Sequence, residues 1–324
     1  MLNIVIPDDY QGAVQGLACF QMLQGHSVRV YQDTVRDTAS LAARFQSADA
    51  LVLIRERTAI TADLLHQLPR LRLISQTGRG AAHIDLESCT RQGVAVTVGV
   101  GSPYAPAELT WALILSALRH IPQEVTQLRA GRWQTTLGTG LQGRTLGIFG
   151  YGKIGTLVAQ VGRAFGMKVL IWGREGSRKR ASADGFEIAA DQPELFRRAD
   201  VLSLHLRLNG ETEGIVTADH LALMKTDSLL VNTSRAQLIA PAALLTALQR
   251  GRPGFAAVDV FEQEPTLNDP LIHMPNVLCT PHLGYVEKDS YELYFEAAFR
   301  NLLAFFEGSP QSLLNPEALQ HPRK

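Results

Sequence analysis

The sequence predicts an α/β protein that contains two doubly wound parallel sheets, and three observations support this prediction. Short apolar segments alternate with helical patterns over almost the whole chain, as in strands joined by crossover helices. The alternation pauses for one long helical pattern at about 107–129 and resumes after Gly143. With 324 residues, the chain is long enough to form two domains with separate cores.

The first sheet is predicted in the N-terminal third of the chain. After an initial strand that ends at Pro7, strands are expected at 28–31, 50–54 and 71–75, with helices at 40–47 and 61–68. The second sheet is expected to use the apolar segments 145–149, 169–172, 201–206, 228–232, 256–260 and 277–279. A last helical pattern covers 285–306, and sequence alone does not assign it to either sheet.

The amino-acid composition of the chain limits the partners and the cellular location that are expected for it. Lys plus Arg and Asp plus Glu each total 31, so a net charge of zero gives no general attraction to nucleic acid or to an anionic membrane. No apolar run is long enough to span a bilayer, and no signal peptide precedes the first strand, so a cytoplasmic location is expected. Cys19, Cys89 and Cys279 are scattered, which favours packed thiols over a disulfide framework or a nucleophile.

A glycine-rich motif follows the first strand of the second sheet. Gly150, Gly152 and Gly155 fit the pattern G-x-G-x-x-G and open a helical pattern that continues to Phe165. In this setting the glycines allow a tight turn, close approach of a pyrophosphate and close contact of helix and strand, while the helix N-terminus attracts the phosphates. The motif predicts a dinucleotide site that includes Lys153 and Ile154; the alternative is a glycine-rich turn that binds nothing.

The residues at the end of the next strand indicate whether the site prefers NAD or NADP. Sites selective for NAD usually place a carboxylate there for the ribose 2′-hydroxyl, but this position is Gly173, followed by Arg174. Arg174, Ser177 and Arg178 could bind a 2′-phosphate, which favours NADP over NAD. The alternative is a solvated basic loop in which Glu175 binds the ribose.

Polar residues follow three strands of the second sheet, in the segments 232–235, 258–265 and 279–284. Carboxyl ends of parallel strands share one crevice, which is where such folds bind ligands. Taken singly, Arg235 would be a surface cation, Glu264 an exposed turn residue and His282 a hydrogen-bonded loop residue. His282, Asp259 and Glu264 are of residue types that can bind a metal, but no compact ligand motif occurs and no metal is expected.

Together with the glycine loop, the motifs N-x-S-R (232–235), D-V-F-x-x-E-P (259–265) and P-H-x-G (281–284) make the chain resemble the D-isomer-specific 2-hydroxyacid dehydrogenases. The resemblance implies a flavodoxin-like substrate domain of residues 1–100 plus 286–324, an NAD(P)-binding Rossmann domain of residues 101–285, and an active site in the interdomain cleft. It implies an oxidoreductase that transfers a hydride between NAD(P)H and a small 2-oxo or 2-hydroxy acid. A homodimer is also expected, from the resemblance and from the apolar helix near 107–119.

The resemblance implies that Arg235, Glu264 and His282 are the catalytic residues. The guanidinium of Arg235 suits a substrate carboxylate and the adjacent carbonyl oxygen, His282 can exchange a proton with that oxygen, and Glu264 can hold the imidazolium. The substrate carboxylate is expected on the backbone of Gly78, Arg79 and Gly80. Further cofactor-binding residues are implied: His205, Thr212, Thr233, Asp259 and Gly284.

Three positions depart from the family pattern: Arg79, where a small apolar residue is usual, His83, where Asn is common, and Arg207, where Pro is frequent. These departures leave the substrate open, and Arg79 either contacts an additional acidic group or faces solvent. Two other functions remain as alternatives: an NAD(H)-sensing protein that resembles the corepressors of this family, and a formate or phosphite dehydrogenase on the same fold.

Overall fold

The computed structural model describes residues 1–323, which form two compact units. One unit contains Met1–Ser102 and the segment that starts at Glu287, and the other contains Pro103–Val286. We refer to them as unit 1 and unit 2 and describe each by itself.

Unit 1 contains a five-stranded sheet whose paired strands are all parallel. The strands are β1 (Asn3–Ile6), β2 (Ser27–Val30), β3 (Ala50–Leu53), β4 (Leu73–Gln76) and β5 (Ala95–Val98). Their order, β2-β1-β3-β4-β5, is the flavodoxin-like order. Every residue of β3 and β4 is buried, because helices cover both faces of a doubly wound sheet.

The helices of unit 1 begin where the sequence provides side-chain caps. They are α1 (Thr38–Phe45), α2 (Ala62–His66) and α3 (Leu86–Arg91). Asp37, Thr61 and Asp85 each accept a hydrogen bond from the backbone N–H three residues later. The C-terminal helix, Lys288–Phe306, packs on β4 and β5, and Ser75 donates a hydrogen bond to the carbonyl of Ala298 at 2.8 Å.

Unit 2 contains a seven-stranded parallel sheet. The strands are β6 (Thr145–Phe149), β7 (Lys168–Trp172), β8 (Glu187–Ile188), β9 (Val201–Leu204), β10 (Leu229–Asn232), β11 (Phe255–Val258) and β12 (Val277–Cys279). Their order is β12-β11-β10-β9-β6-β7-β8, which is the Rossmann order with one additional strand. The two parallel sheets confirm the predicted fold class.

The helices of unit 2 are α4 (Tyr104–Leu118), α5 (Ile121–Arg129), α6 (Lys153–Ala164), α7 (Glu175–Ala183), α8 (Gln192–Arg198), α9 (Ala218–Ala222) and α10 (Ala243–Gln249).

Both units also contain short 3₁₀ helices, at Val14–Gly16, Ala18–Leu23, Ala236–Leu238, Pro270–His273 and Pro316–Gln320. None of the helices in residues 1–323 combines the length and apolar character that crossing a bilayer requires.

The structure corrects the single helix expected at 107–129. The chain forms two helices there, because His120 adopts a left-handed conformation with φ of 51° and α5 begins anew with Pro122 in its first turn. Helix α4 also begins earlier than expected, at Tyr104, and includes Pro106 in its first turn. A proline is tolerated there because the first N–H groups of a helix have no partner within the helix.

Candidate active site

The glycine loop lies between β6 and α6. Gly150 has φ of +102°, and a Cβ there would lie 2.5 Å from the carbonyl oxygen of His205. A Cβ on Gly155 would lie 2.1 Å from the carbonyl oxygen of Gly150, so helix and loop approach too closely for a side chain. A Cβ on Gly152 would meet no atom within 4 Å, and no side chain caps the first turn of α6. The loop therefore fits a pyrophosphate on the N–H groups of residues such as Lys153 and Ile154.

The ribose side of the loop is formed by the end of β7 and the start of α7. Gly173 provides no carboxylate, and Arg174 is exposed at the N-cap position of α7. The guanidinium of Arg178 lies over the ring of Trp172, 4.6 Å from its centroid. Glu175 forms an exposed ion pair with Lys179 at 2.6 Å. The groups available at this strand end are therefore mainly cationic.

Arg235 follows β10 in a turn that Asn232 organises. The side-chain amide of Asn232 donates to the carbonyl of Arg235 at 2.8 Å, and its oxygen accepts from the N–H of Ser234 at 3.0 Å. Arg235 has an extended backbone, and its guanidinium donates to the carbonyl of Ser234 at 2.7 Å. The buried amide thus sets the path of the chain that presents Arg235.

Glu264 and His282 form a hydrogen-bonded pair. Glu264 Oε2 lies 2.5 Å from His282 Nδ1, while Glu264 Oε1 accepts from the N–H of Phe261 at 2.8 Å. Burial alone would raise the pKa of the Glu264 carboxyl, but the hydrogen bond and charge of His282, the Phe261 N–H and the charge of Arg235 together lower it. The structure thus brings the three predicted catalytic residues together, with a carboxylate that stays ionised.

Asp259 organises the turn that carries His282. Its buried carboxylate accepts hydrogen bonds from the hydroxyl of Thr280 at 2.6 Å and from the N–H groups of Leu283 at 2.7 Å and Gly284 at 2.8 Å. Burial raises the pKa of Asp259, although these hydrogen bonds act in the opposite direction. His282 has φ of 53°, in the left-handed region. Sequence reasoning placed Asp259 near the cofactor but missed its role in holding this turn.

Three other predicted cofactor residues also follow strands of unit 2. His205 is half-buried; its Nε2 lies 2.9 Å from the hydroxyl of Ser203, and its buried Nδ1 has no hydrogen-bond partner among residues 1–323. Burial lowers the pKa of His205 to about 4, which keeps the imidazole neutral. The hydroxyls of Thr233 and Thr110 lie 2.8 Å apart, and that of Thr212 donates to a carbonyl of its own loop at 2.7 Å.

In unit 1, the loop Gly78–Arg79–Gly80 follows β4. The side chain of Gln76 is buried, and its amide donates to the carbonyl of Gly80 at 2.9 Å and to that of Arg55 at 2.7 Å. Among the described residues, the N–H groups of Arg79 and Gly80 have no hydrogen-bond acceptor. The loop is therefore held through its carbonyls, with its N–H groups available to an anion.

Charged side chains surround this loop. A Cβ on Gly78 would lie 2.1 Å from Nη1 of Arg55, and one on Gly80 would lie 2.1 Å from Oε1 of Glu56. Arg79 itself is exposed. Sequence reasoning missed Arg55 and Glu56, although both come shortly after β3, and the same rule of polar residues at strand ends would have found them.

His83 follows the loop and is unusual in its surroundings. Within residues 1–323, both ring nitrogens are buried without a hydrogen-bond partner, and burial lowers the pKa of His83 to about 4. As for metal, residues 1–323 contain no group of three or more His, Cys, Asp or Glu that could hold an ion.

A glycine loop and an Arg–Glu–His group at the carboxyl edge of one parallel sheet are the features of a dinucleotide-dependent oxidoreductase. Residues 111–284 match the family model described as D-isomer specific 2-hydroxyacid dehydrogenase, NAD binding domain. The chain belongs to this family of nicotinamide-dependent oxidoreductases, which confirms the resemblance drawn from its motifs.

Individual relatives agree with this assignment. The chain is 38% identical to a glyoxylate reductase of Aeropyrum pernix over 87% of both proteins. It is 37% identical to a D-3-phosphoglycerate dehydrogenase of Methanocaldococcus jannaschii over 75% of this chain, which spans 47% of that longer protein. A solved structure of a phosphoglycerate oxidoreductase from Vibrio cholerae O395 has 56% identity and a TM-score of 0.93, covering 95% of this chain and 100% of the other.

Proposed function

We propose that the protein reduces a small 2-oxo acid, such as glyoxylate or hydroxypyruvate, to the D-2-hydroxy acid with NADPH or NADH. The observation that carries this proposal is the hydrogen-bonded pair of Glu264 and His282, with the charge of Arg235 close enough to lower the pKa of Glu264. The glyoxylate reductase activity named for the Aeropyrum pernix relative supports the choice of substrate class.

The proposed mechanism uses each of the three side chains differently. The reduced nicotinamide, when bound, supplies the hydride. Arg235 binds the substrate carboxylate and polarises the carbonyl oxygen through its planar guanidinium. His282 donates a proton from Nε2 to that oxygen, because Nδ1 faces Glu264. The carboxylate of Glu264 stabilises the imidazolium before transfer and keeps the ring oriented.

The Gly78–Arg79–Gly80 loop of unit 1 is proposed to bind the substrate carboxylate through its backbone. Its N–H groups suit an anion, and the guanidinium of Arg55 against Gly78 adds positive charge. If Arg79 contacts an additional acidic group, Arg79→Ala will raise the KM for dicarboxylic or phosphorylated 2-oxo acids but not that for glyoxylate. A KM that Arg79→Ala leaves unchanged for every acid would place Arg79 in solvent.

NADP(H) is proposed as the preferred cofactor. The absence of a carboxylate at Gly173 removes the repulsion that a 2′-phosphate would otherwise meet. Arg174 is exposed at the start of α7, and Glu175, the nearest carboxylate along the helix, is paired with Lys179. These features support a positively charged ribose site.

A homodimer is proposed, but not through the helix on which the sequence argument rested. Helix α4 lies in the core of its own unit, where Trp111, Ile114 and Leu118 are buried. Large apolar side chains are exposed instead on α5 and the following segment: Leu128 (57% exposed), Trp133 (76%) and Leu137 (94%). A second copy of the chain would cover this surface, and a single chain's mass in light scattering at micromolar concentration would refute the proposal.

The cytoplasm is the proposed compartment, and the three free cysteines Cys19, Cys89 and Cys279 support it. Burial raises the pKa of each thiol, to about 12 for Cys19 and Cys89 and to about 11 for Cys279. They are therefore packed thiols and not nucleophiles.

The test of the function is oxidation of NADPH and NADH, followed at 340 nm, with glyoxylate, hydroxypyruvate, pyruvate and longer 2-oxo acids. Turnover with any of these acids supports the proposal, and the ratio of the two cofactors tests the preference for NADP(H). Cofactor binding without turnover of any acid would refute the proposal. Oxidation of formate or phosphite would then support the dehydrogenase alternative. Cofactor-dependent binding of a protein partner would support the NAD(H)-sensing alternative.

A further inference from the structure

Tyr151, the residue between the first two glycines of the loop, is 1% exposed and hydrogen-bonded. Its hydroxyl donates to Asp184 Oδ2 at 2.6 Å, and its ring meets that of Phe186 edge-on with centroids 5.7 Å apart. Burial, reinforced by the hydrogen bond to Asp184, raises the pKa of Tyr151 to about 12, so the hydroxyl remains a donor. Asp184 directly follows α7, the helix on the ribose side of the cofactor site.

A second connection runs between the same two elements. The guanidinium of Arg180, on α7, donates to the carbonyl of Tyr151 at 3.0 Å and to the hydroxyl of Ser177 at 3.2 Å. The carbonyl of Tyr151 and the N–H of Gly152 belong to one trans peptide plane and point in opposite directions. Arg180 therefore directs the N–H of Gly152 away from α7, and Gly152 is where the loop is open to a pyrophosphate.

Arg163, on α6, contacts the segment after α7 that contains Asp184 and Phe186. Its guanidinium donates to the carbonyl of Asp184 at 2.9 Å and lies 3.8 Å from the centroid of the Phe186 ring. Helix α6, which carries Arg163, begins at the glycine loop, with Gly152 at its N-cap position. The loop, α6 and α7 are thus joined by the side chains of Tyr151, Arg163 and Arg180.

We propose that Arg180 and Tyr151 are positioning residues that orient the loop peptide for the cofactor pyrophosphate and hold it in register with the ribose-binding start of α7. This inference rests on the proposed cofactor site. It extends the binding determinants to two residues that do not themselves contact the reacting atoms. Arg180 donates both to Tyr151 in the loop and to Ser177 on the ribose side of the site. It therefore links the pyrophosphate-binding and ribose-binding regions into one rigid surface.

The test uses ADP-ribose, which contains the pyrophosphate but no nicotinamide, and measures its Kd by calorimetry. Arg180→Met is expected to raise this Kd about five- to tenfold, since it removes charge-assisted hydrogen bonds at a partly exposed site. Arg250→Met is the matched control, because it makes the same substitution at an exposed arginine of unit 2 that follows α10, and its Kd should change less than about twofold. At saturating cofactor, kcat and the KM for the 2-oxo acid should match the wild type in both variants.

Tyr151→Phe provides an independent arm. It retains the ring and loses the hydrogen bond to Asp184, so it should also raise the Kd, and its effect should be less than multiplicative with that of Arg180→Met. If Tyr151→Phe unfolds, Asp184→Ala replaces it, because it removes the acceptor of the same hydrogen bond and should raise the Kd in the same way.

Equal effects of Arg180→Met and Arg250→Met, or fully multiplicative effects of the two positioning variants, would overturn the inference. The outcome is separable from that for the proposed function. A wild-type protein that binds ADP-ribose but reduces no 2-oxo acid refutes the function and leaves the inference standing. A wild-type protein that does not bind ADP-ribose refutes the cofactor site and the inference with it.

Discussion

The carboxylate of Asp259 accepts a hydrogen bond from the backbone N–H of Gly284 at 2.8 Å. With the bonds from Leu283 and Thr280, this contact ties the end of β11 to the turn after β12. His282 lies within that turn, so a residue at the end of one strand determines where the imidazole after the neighbouring strand is held. The position of the proposed acid thus depends on a buried charge that it does not contact through a hydrogen bond.

Replacing Asp259 tests this dependence. In Asp259→Asn, the amide nitrogen faces a backbone N–H, so at least one buried hydrogen bond is lost, at a cost of about 1–3 kcal/mol in the free energy of unfolding. We expect kcat to fall by roughly ten- to a hundredfold as His282 loses its orientation. Urea unfolding and steady-state kinetics measure the two effects. Asp269→Asn is the control, because Asp269 caps a 3₁₀ helix through the N–H of Leu271, and kcat should be unchanged.

The proposed catalytic residues are tested by His282→Ala and Arg235→Lys. Each should lower kcat by about two to four orders of magnitude, because the first removes the proton donor and the second removes the planar fork. The Kd for NADPH, measured by cofactor fluorescence, should change less than about threefold. His273→Ala, at an exposed histidine of the same unit, is the control. A near-normal rate in either active-site variant would exclude that residue from the mechanism.

Glu264→Gln tests the electrostatic role of the carboxylate. The lowered pKa of Glu264 means that it is negatively charged throughout the neutral range, where it favours the imidazolium. Without this charge the proton donor in the proposed mechanism loses the anion that stabilises it, so kcat for reduction should fall by roughly tenfold at neutral pH. A variant with wild-type kcat would show that the carboxylate only orients the ring.

Arg174→Ala and Gly173→Asp test cofactor selection. Removing the cation should lower the ratio of kcat/KM for NADPH to that for NADH by about tenfold, since a charge-assisted contact with the 2′-phosphate is lost. Gly173→Asp should reverse the preference, because a carboxylate repels the phosphate and accepts the ribose hydroxyl. Arg250→Ala, at an exposed arginine that follows α10, is the control for the loss of a cation from unit 2. An unchanged ratio in Arg174→Ala would favour the solvated basic loop.

His83 should make unit 1 sensitive to acid. Its pKa is lowered to about 4 in the folded protein, against 6.5 for the ordinary side chain, so between these values the unfolded chain binds a proton that the folded chain does not. The stability of the folded state is therefore retained above about pH 6.5 and decreases as the pH falls towards 4.

The variant His83→Asn should reduce this decrease by about 1–2 kcal/mol between pH 7 and pH 5, as measured by urea unfolding at both values. His273→Asn, at an exposed position, should leave the pH dependence as it is in the wild type. If His83→Asn leaves the pH dependence unchanged, burial does not keep His83 neutral.

Local patterns were sufficient to predict the sheets and the sheet edge where the three proposed catalytic residues lie. Parallel strands alternate with helices in sequence as they do in space, and Arg235, Glu264 and His282 each follow a strand whose carboxyl end lies at the same edge. The glycine loop was predictable for the same reason, because its strand, turn and helix are consecutive.

Contacts between distant segments were not predictable in this way. The bond from Gln76 to the carbonyl of Arg55 depends on how the end of β4 approaches the loop after β3, and no periodicity in the sequence predicts that approach. The same holds for the bond between Tyr151 and Asp184. The burial of α4 was missed because an apolar helix suits a subunit interface as well as a domain core, and the break at His120 was missed because a left-handed residue need not be glycine.

The left-handed backbone of His282 has a practical consequence for identifying the substrate. Asparagine adopts this conformation more readily than most residues, so His282→Asn can retain the turn while lacking a side chain that transfers a proton. Such a chain would be a substrate trap. It would hold the 2-oxo acid and reduced cofactor together long enough for soaking or calorimetry to show which acid fits.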